Sequence, residues 1–156
     1  MSKDLNELLQ TASKEEILEV YSLALDKSEE EDFWKEKILP YIDCVLSVVL
    51  PLRDQKLLFT PEGRKVEIID KEYFYRWSDL VCLRMLAFIL EESNQKNQLV
   101  RTDYTEVEYK QIDLQILGEY LSSYRVDLLD EDNLDFPVAN YNLHTGMLTT
   151  IKALVS

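Results

Sequence analysis

The side chains that could catalyse a reaction in this chain are few and far apart. His144 is the single histidine, and Cys44 and Cys82 lie within apolar runs without a C-x-x-C or Cys/His spacing. A Ser/His/Asp or Cys/His mechanism would therefore depend on His144 alone, and neither cysteine is near it in the sequence. We expect His144 to be a partly exposed helix residue, the cysteines to be free core thiols, and the protein not to be an enzyme.

Glycine is too rare for a phosphate-binding loop. It occurs only at positions 63, 118 and 146, and the motifs G-x-x-x-x-G-K-[ST] and G-x-G-x-x-G are both absent. The chain cannot build a backbone cradle of that kind, so we expect no bound nucleotide and no other cofactor.

A group of carboxylates near residue 130 invites a comparison with calcium sites, which take several oxygen ligands from one short loop. Its members are Asp130, Glu131, Asp132 and Asp135. An EF-hand loop beginning at the first of them would need an oxygen donor at Leu134 and a glutamate at Tyr141, and both are missing. We interpret this segment as a solvated acidic loop that contacts a partner, and we expect no metal.

The net charge favours protein partners over nucleic acid. The chain has 30 acidic and 17 basic residues, a formal charge of -13, and such a surface repels polyanions unless its cations are concentrated in one place. Residues 1–32 and 103–135 have net charges of -7 and -8, whereas residues 53–84 contain six acids and seven bases. Within it Arg64, Lys65 and Arg76 could form a contact patch; alternatively, they are paired with neighbouring carboxylates on an ordinary surface.

The elements that carry these residues should be helices. Three glycines and four prolines in 156 residues are too few for many tight turns, and 46% hydrophobic content suffices for one core. We predict one all-α domain over residues 1–156, a compact multi-helix bundle. No secretory signal precedes it, and its longest apolar stretch, residues 38–52, is shorter than the ~20 residues that span a bilayer. We therefore expect a cytoplasmic protein without membrane contact.

Several local signals predict where the helices begin. Three pairs have the spacing of a capping box: Ser13 with Glu16, Ser28 with Glu31, and Thr105 with Glu108. The last pair predicts a helix that runs to about Tyr124. Residues 73–90 form another apolar helical run that Ser78 could interrupt, residues 91–102 read as a loop, and residues 148–155 mark a last short helix.

Residues 33–50 are apolar on almost every face and are predicted to form the central helix. Pro40 removes one backbone hydrogen bond within it, so we expect a kink or a restart there, and we expect Pro51 to help end the helix. The following residues, 57–69, alternate weakly and form either one small hairpin or a lead into the next helix.

Two short motifs flank this central helix: EDFWK at residues 31–35 and VLPLRD at residues 49–54. An acidic segment, then Phe-Trp, then an apolar helix, then Leu-Arg resembles the all-alpha domain of type IV coupling proteins. These are the hexameric ATPases that deliver substrates to conjugation and type IV secretion machines. The residues that carry the resemblance are Phe33, Trp34, Leu52 and Arg53.

The resemblance implies a non-enzymatic domain inserted in the ATPase of an inner-membrane-associated parent protein, on its cytoplasmic side. Its partner would be a secretion substrate, a relaxase or an adaptor protein, and it would form a hexamer only as part of the parent. The alternative is a free-standing acidic helical protein, such as a secretion chaperone or an anti-activator, that binds one partner through a groove.

Overall fold

The computed structural model describes residues 4–29, 32–124 and 138–155, and in these segments the chain forms seven helices and no strand. They are α1 (Leu5–Thr11), α2 (Lys14–Lys27), α3 (Asp32–Asp54), α4 (Lys71–Trp77), α5 (Leu80–Lys96), α6 (Gln115–Ser123) and α7 (Val138–Leu154). Their apolar faces meet in one core cluster, to which every helix contributes. The prediction of an all-α helical bundle is confirmed.

The central element is α3, whose 23 residues pack against α2, α6 and α7. It runs without interruption through Pro40, so the predicted restart does not occur, whereas the kink stays a prediction. Pro51 does not end the helix either. Pro51 has no backbone N–H to donate, but the turn that follows it still forms. In that turn Gln55 N donates to the carbonyl of Pro51 at 3.0 Å.

One predicted capping box is confirmed. At the start of α2, Ser13 Oγ accepts from Glu16 N at 3.2 Å and the Glu16 carboxylate accepts from Ser13 N at 3.4 Å. Ser28 is the C-terminal cap of α2, and its hydroxyl donates to the carbonyl of Leu25 at 2.7 Å. Its predicted partner Glu31 lies outside the described residues, so the second capping box stays a prediction.

The apolar run at residues 73–90 is divided into α4 and α5, as Ser78 suggested. Ser78 is the C-terminal cap of α4, and the carboxylate of Asp79 caps α5 by accepting from Cys82 N at 3.1 Å. Asp70 caps α4 in the same way, through Tyr73 N at 2.9 Å. These two acids therefore have a local backbone role rather than a place in surface ion pairs.

Residues 57–69 form a tight turn with one isolated antiparallel bridge, Phe59 to Lys65, and no strands. Gly63 has φ +82°, and a Cβ there would lie 2.6 Å from the carbonyl oxygen of Arg101. Only glycine tolerates both conditions. The predicted hairpin therefore exists as a single turn that Gly63 holds against the segment after α5.

The helix predicted from Thr105 does not begin until Gln115. Residues 103–114 are irregular, and two amide side chains from distant helices bond their backbone. Gln55 exchanges two hydrogen bonds of 2.9 Å with the N–H and carbonyl of Lys110. Asn94 donates to the carbonyl of Ile112 at 2.8 Å and accepts from the N–H of Ile112 at 3.1 Å. Because these bonds satisfy the backbone, a local capping signal is overridden.

Two other boundaries differ from prediction. The loop expected from residue 91 begins later, because α5 continues to Lys96 and ends at Asn97 in the left-handed conformation, φ 50°. The last helix is longer than expected, at 17 residues.

Candidate partner-binding surfaces

The acidic loop cannot be placed. Asp130, Glu131, Asp132 and Asp135 lie outside the described residues, so their contact role stays a prediction.

The three candidate cations lie on or beside the turn at residues 60–65, but they are not a free basic patch. Arg76 Nη2 donates to both carboxylate oxygens of Glu62, at 2.6 and 2.8 Å, which holds the pKa of Glu62 below its usual range. Lys65 Nζ lies 5.2 Å from the ring centroid of Tyr104, in a cation–π contact. Arg64 is exposed. For Arg76 the structure favours the alternative of a salt-bridged surface.

Phe33, one of the residues that carry the resemblance, is not part of the hydrophobic core. Its side chain is 48% exposed, and its ring meets that of Trp34 edge to face at 5.3 Å. Trp34 is only partly buried and covers Gly146 of α7, where a Cβ would lie 2.9 Å from its ring. These residues are in the first turn of α3, where the helix extends beyond the core.

Leu52 and Arg53 are structural residues at the other end of α3. Leu52 is fully buried. Arg53 Nη1 donates to the carbonyls of Leu9 and Ala12, both at 2.8 Å. A guanidinium from α3 thus binds the C-terminal end of α1, which has no basic residue in its own last turn.

One surface depression with an apolar floor is a groove of about 580 Å³ between α2 and α3. We call it the α2–α3 groove. It is lined by Glu15, Leu18, Glu19 and Ser22 from α2 and by Leu39, Pro40 and Asp43 from α3. The α2 residues follow one another at i, i+3, i+4 and i+7, so they share one helix face. Leu18, Leu39 and Pro40 form the floor, and the three carboxylates form the rim.

The charge on this rim is unbalanced. Lys14 Nζ lies 3.0 Å from Asp43 Oδ1 at one end of the groove. Glu15 and Glu19 are exposed and have no ion pair among the described residues. Like charges at i, i+4 on a helix repel each other by a few tenths of a kcal/mol, roughly 0.2–0.5. The arrangement therefore slightly opposes folding, while it attracts a cationic ligand.

His144 is buried, which corrects the expectation of a partly exposed residue; it is 2% exposed. Its Nδ1 donates to the carbonyl of Asn140 at 2.7 Å, and its Nε2 accepts from the Tyr120 hydroxyl at 2.8 Å. The rings of Tyr41 and Tyr124 lie 5.0 and 4.9 Å from the imidazole. Burial lowers the pKa of His144, so the neutral ring is favoured and both nitrogens are occupied.

The cysteines are free. Burial raises the pKa of the Cys44 thiol well above its ordinary value. Burial and Asp79 raise the pKa of Cys82 to about 11. Both thiols are therefore protonated at neutral pH, which makes them poor nucleophiles.

Other classes of site give no candidate in the parts of the chain that the structure covers. No group of three or more His, Cys, Asp or Glu side chains is placed to hold a metal ion there. Among the helices described, none combines the length and the apolar character needed to cross a bilayer.

The sequence did not single out the α2–α3 groove, although part of its signal was present. Leu18 follows the spacing of the apolar stripe of α2, and Glu15 and Glu19 are charged positions beside it. The groove arises where that stripe ends beside Pro40, and only the packing of α2 on α3 brings the two together.

Comparison with protein-family models, with curated proteins and with solved structures gives no match to this chain.

Proposed function

We propose that this chain is a non-enzymatic recognition domain of a type IV secretion coupling ATPase. In this role it binds a secretion substrate, a relaxase or an adaptor protein on the cytoplasmic side of the membrane. The proposal combines the resemblance of the motifs around α3 with the surface chemistry of the bundle.

The observation that carries the proposal is the α2–α3 groove. It has an apolar floor, a rim of carboxylates and a volume of about 580 Å³, which suits side chains from a protein partner. A net charge of -13 disfavours DNA as the ligand. His144 is held in a structural network and both thiols are protonated, so these groups support binding better than catalysis.

The test is a pull-down from a lysate of the source organism, with the purified chain as bait and half of each sample treated with nuclease. A second bait carries Glu15→Gln and Glu19→Gln. A matched control bait carries Glu106→Gln and Glu119→Gln, which remove two exposed carboxylates away from the groove. Bound proteins are identified by mass spectrometry.

The proposal expects secretion substrates, relaxases or adaptors that resist nuclease and are bound by the control bait. A single cytosolic partner unrelated to secretion would overturn it in favour of a free-standing chaperone or anti-activator. Recovery of nuclease-sensitive material alone would also overturn it, because it would indicate a nucleic-acid ligand.

A further inference from the structure

We infer that the α2–α3 groove binds a basic amphipathic helix, with the apolar stripe of that helix on the floor and its Lys or Arg residues on the rim. This inference deepens the proposed function, because it names the chemistry of the partner segment.

The shape of the groove fits a helix. Its two walls are helices that follow each other in the chain, and the lining residues of α2 extend from Glu15 to Ser22, about 10 Å at 1.5 Å per residue. Two turns of a partner helix can lie along this length and place residues at i, i+3, i+4 and i+7 against Leu18 and Leu39. Both leucines are partly buried against the core, so the floor is held in place before a partner arrives.

The negative charge of the groove favours a positively charged partner. Glu15 and Glu19 point to the same side of α2, and Lys14 is already paired with Asp43, which lines the groove. A cationic partner relieves the repulsion between the two glutamates, whereas an acidic one adds to it. At physiological ionic strength the screening length is about 8 Å, so these nearby charges outweigh more distant ones.

Pro40 adds a hydrogen-bond acceptor beside the floor. Proline has no N–H, so the carbonyl of Glu36 has no helical donor from residue 40. Pro40 is exposed and lines the groove, and on that ground we include this carbonyl as an acceptor for the bound segment. An ammonium or guanidinium group can donate hydrogen bonds to this carbonyl and to a rim carboxylate at the same time. An ionised acidic side chain has no proton to donate to either.

The experiment measures fluorescence anisotropy of two labelled 18-residue peptides, a length chosen to exceed the ~21 Å of α2. Both carry leucine at i, i+3, i+4 and i+7. The remaining positions are lysine in one peptide and glutamate in the other. We expect the lysine peptide alone to bind. The double substitution Glu15→Gln and Glu19→Gln should weaken it about fivefold at low salt, as expected for two exposed ion pairs. Glu106→Gln with Glu119→Gln should weaken it less than twofold, about the effect of net charge alone.

Hydrogen exchange places the bound peptide independently of mutation. Protection of α2 and of the Leu39–Asp43 turn by the lysine peptide is the expected result. Equal weakening by the two double variants would overturn the inference, because it would indicate non-specific attraction to an acidic protein. Binding of both peptides alike, or protection confined to other helices, would also overturn it. So would light scattering that reveals a dimer sensitive to the groove variant, because the occupant would then be a second copy.

The outcomes separate this inference from the proposed function. If secretion proteins are captured equally by the wild-type and groove-variant baits, the recognition function stands and the groove assignment fails. If the lysine peptide binds in the groove but the lysate contains no secretion partner for the chain, the groove assignment stands and the coupling-protein role fails.

Discussion

Replacement of Arg53 by methionine should destabilise the fold by about 2–4 kcal/mol, mainly by releasing α1. Arg53 lies in the last turn of α3, and its guanidinium bonds two carbonyls at the end of α1. Methionine keeps an unbranched apolar stem but cannot donate a hydrogen bond. The substitution therefore removes the charged group with little loss of packing.

The magnitude follows from the two contacts. A hydrogen bond from a charged group contributes about 1.5–3 kcal/mol, so two of them give an upper range of roughly 3–6. Arg53 is only 14% exposed, but water can reach the freed carbonyls once the side chain is shortened, so we expect a smaller loss of about 2–4 kcal/mol. At about 2–4 °C per kcal/mol, the melting temperature should fall by roughly 4–16 °C.

The assay is urea denaturation followed by circular dichroism, combined with hydrogen exchange of the α1 amides. The control is Asp54→Asn, which removes the other partner of Arg53. Asp54 is 66% exposed, so its ion pair should contribute less than about 1 kcal/mol. A loss below about 1 kcal/mol for Arg53→Met would refute the assigned role. An equal loss for Asp54→Asn would shift that role to the ion pair.

Three further predictions concern α3 and α7. Gly146→Ala should lower stability by about 1 kcal/mol, because the new methyl group would lie 2.9 Å from the Trp34 ring and the strain of roughly 1–3 kcal/mol exceeds the ~1 kcal/mol that alanine gains in a helix; tryptophan fluorescence and thermal melts measure the effect. The folded-state pKa of His144 is lowered, so the unfolded chain binds a proton first and stability decreases as the pH falls through about 6.5. In His144→Gln the free energy of unfolding should fall less between about pH 7 and pH 5 than it does in the wild type. An equal fall in both proteins would contradict this. Pro40→Ala and Pro51→Ala should each stabilise α3 by about 1–2 kcal/mol, less than the full ~3 kcal/mol helix penalty of proline. Only Pro40→Ala should weaken the lysine peptide, and equal binding by both variants would exclude the Glu36 carbonyl from the site.

The sequence predicted those elements whose determinants are local. The start of α2 depends on Ser13 and Glu16, three residues apart, and the division between α4 and α5 depends on Ser78 and Asp79. The central helix was recognisable because its residues are apolar on nearly every face. In each case neighbouring side chains and the backbone of one element decide the outcome, so the spacing of residues is sufficient evidence.

The sequence predictions fail where residues that are distant in the chain determine the local structure. Thr105 and Glu108 have a correct capping-box spacing, yet Gln55 and Asn94 bond the backbone that follows them.

The functional surface was even less accessible to sequence reasoning. Phe33 has the apolar character of a core residue but extends beyond the core at the start of its helix. His144 is buried by three tyrosine rings that come from α3, α6 and the end of α6. Burial depends on what covers a residue, and one helix pattern does not contain that information.

The two amide side chains that hold residues 103–114 also constrain the order in which the protein can fold. Gln55 is 55 residues away from its backbone partner, at the end of α3, and Asn94 belongs to α5. The segment has no helix or strand of its own, so it gains its hydrogen bonds only after both helices are in position. Its ordering is thus a late step, and substitutions in it should change the unfolding rate more than the folding rate.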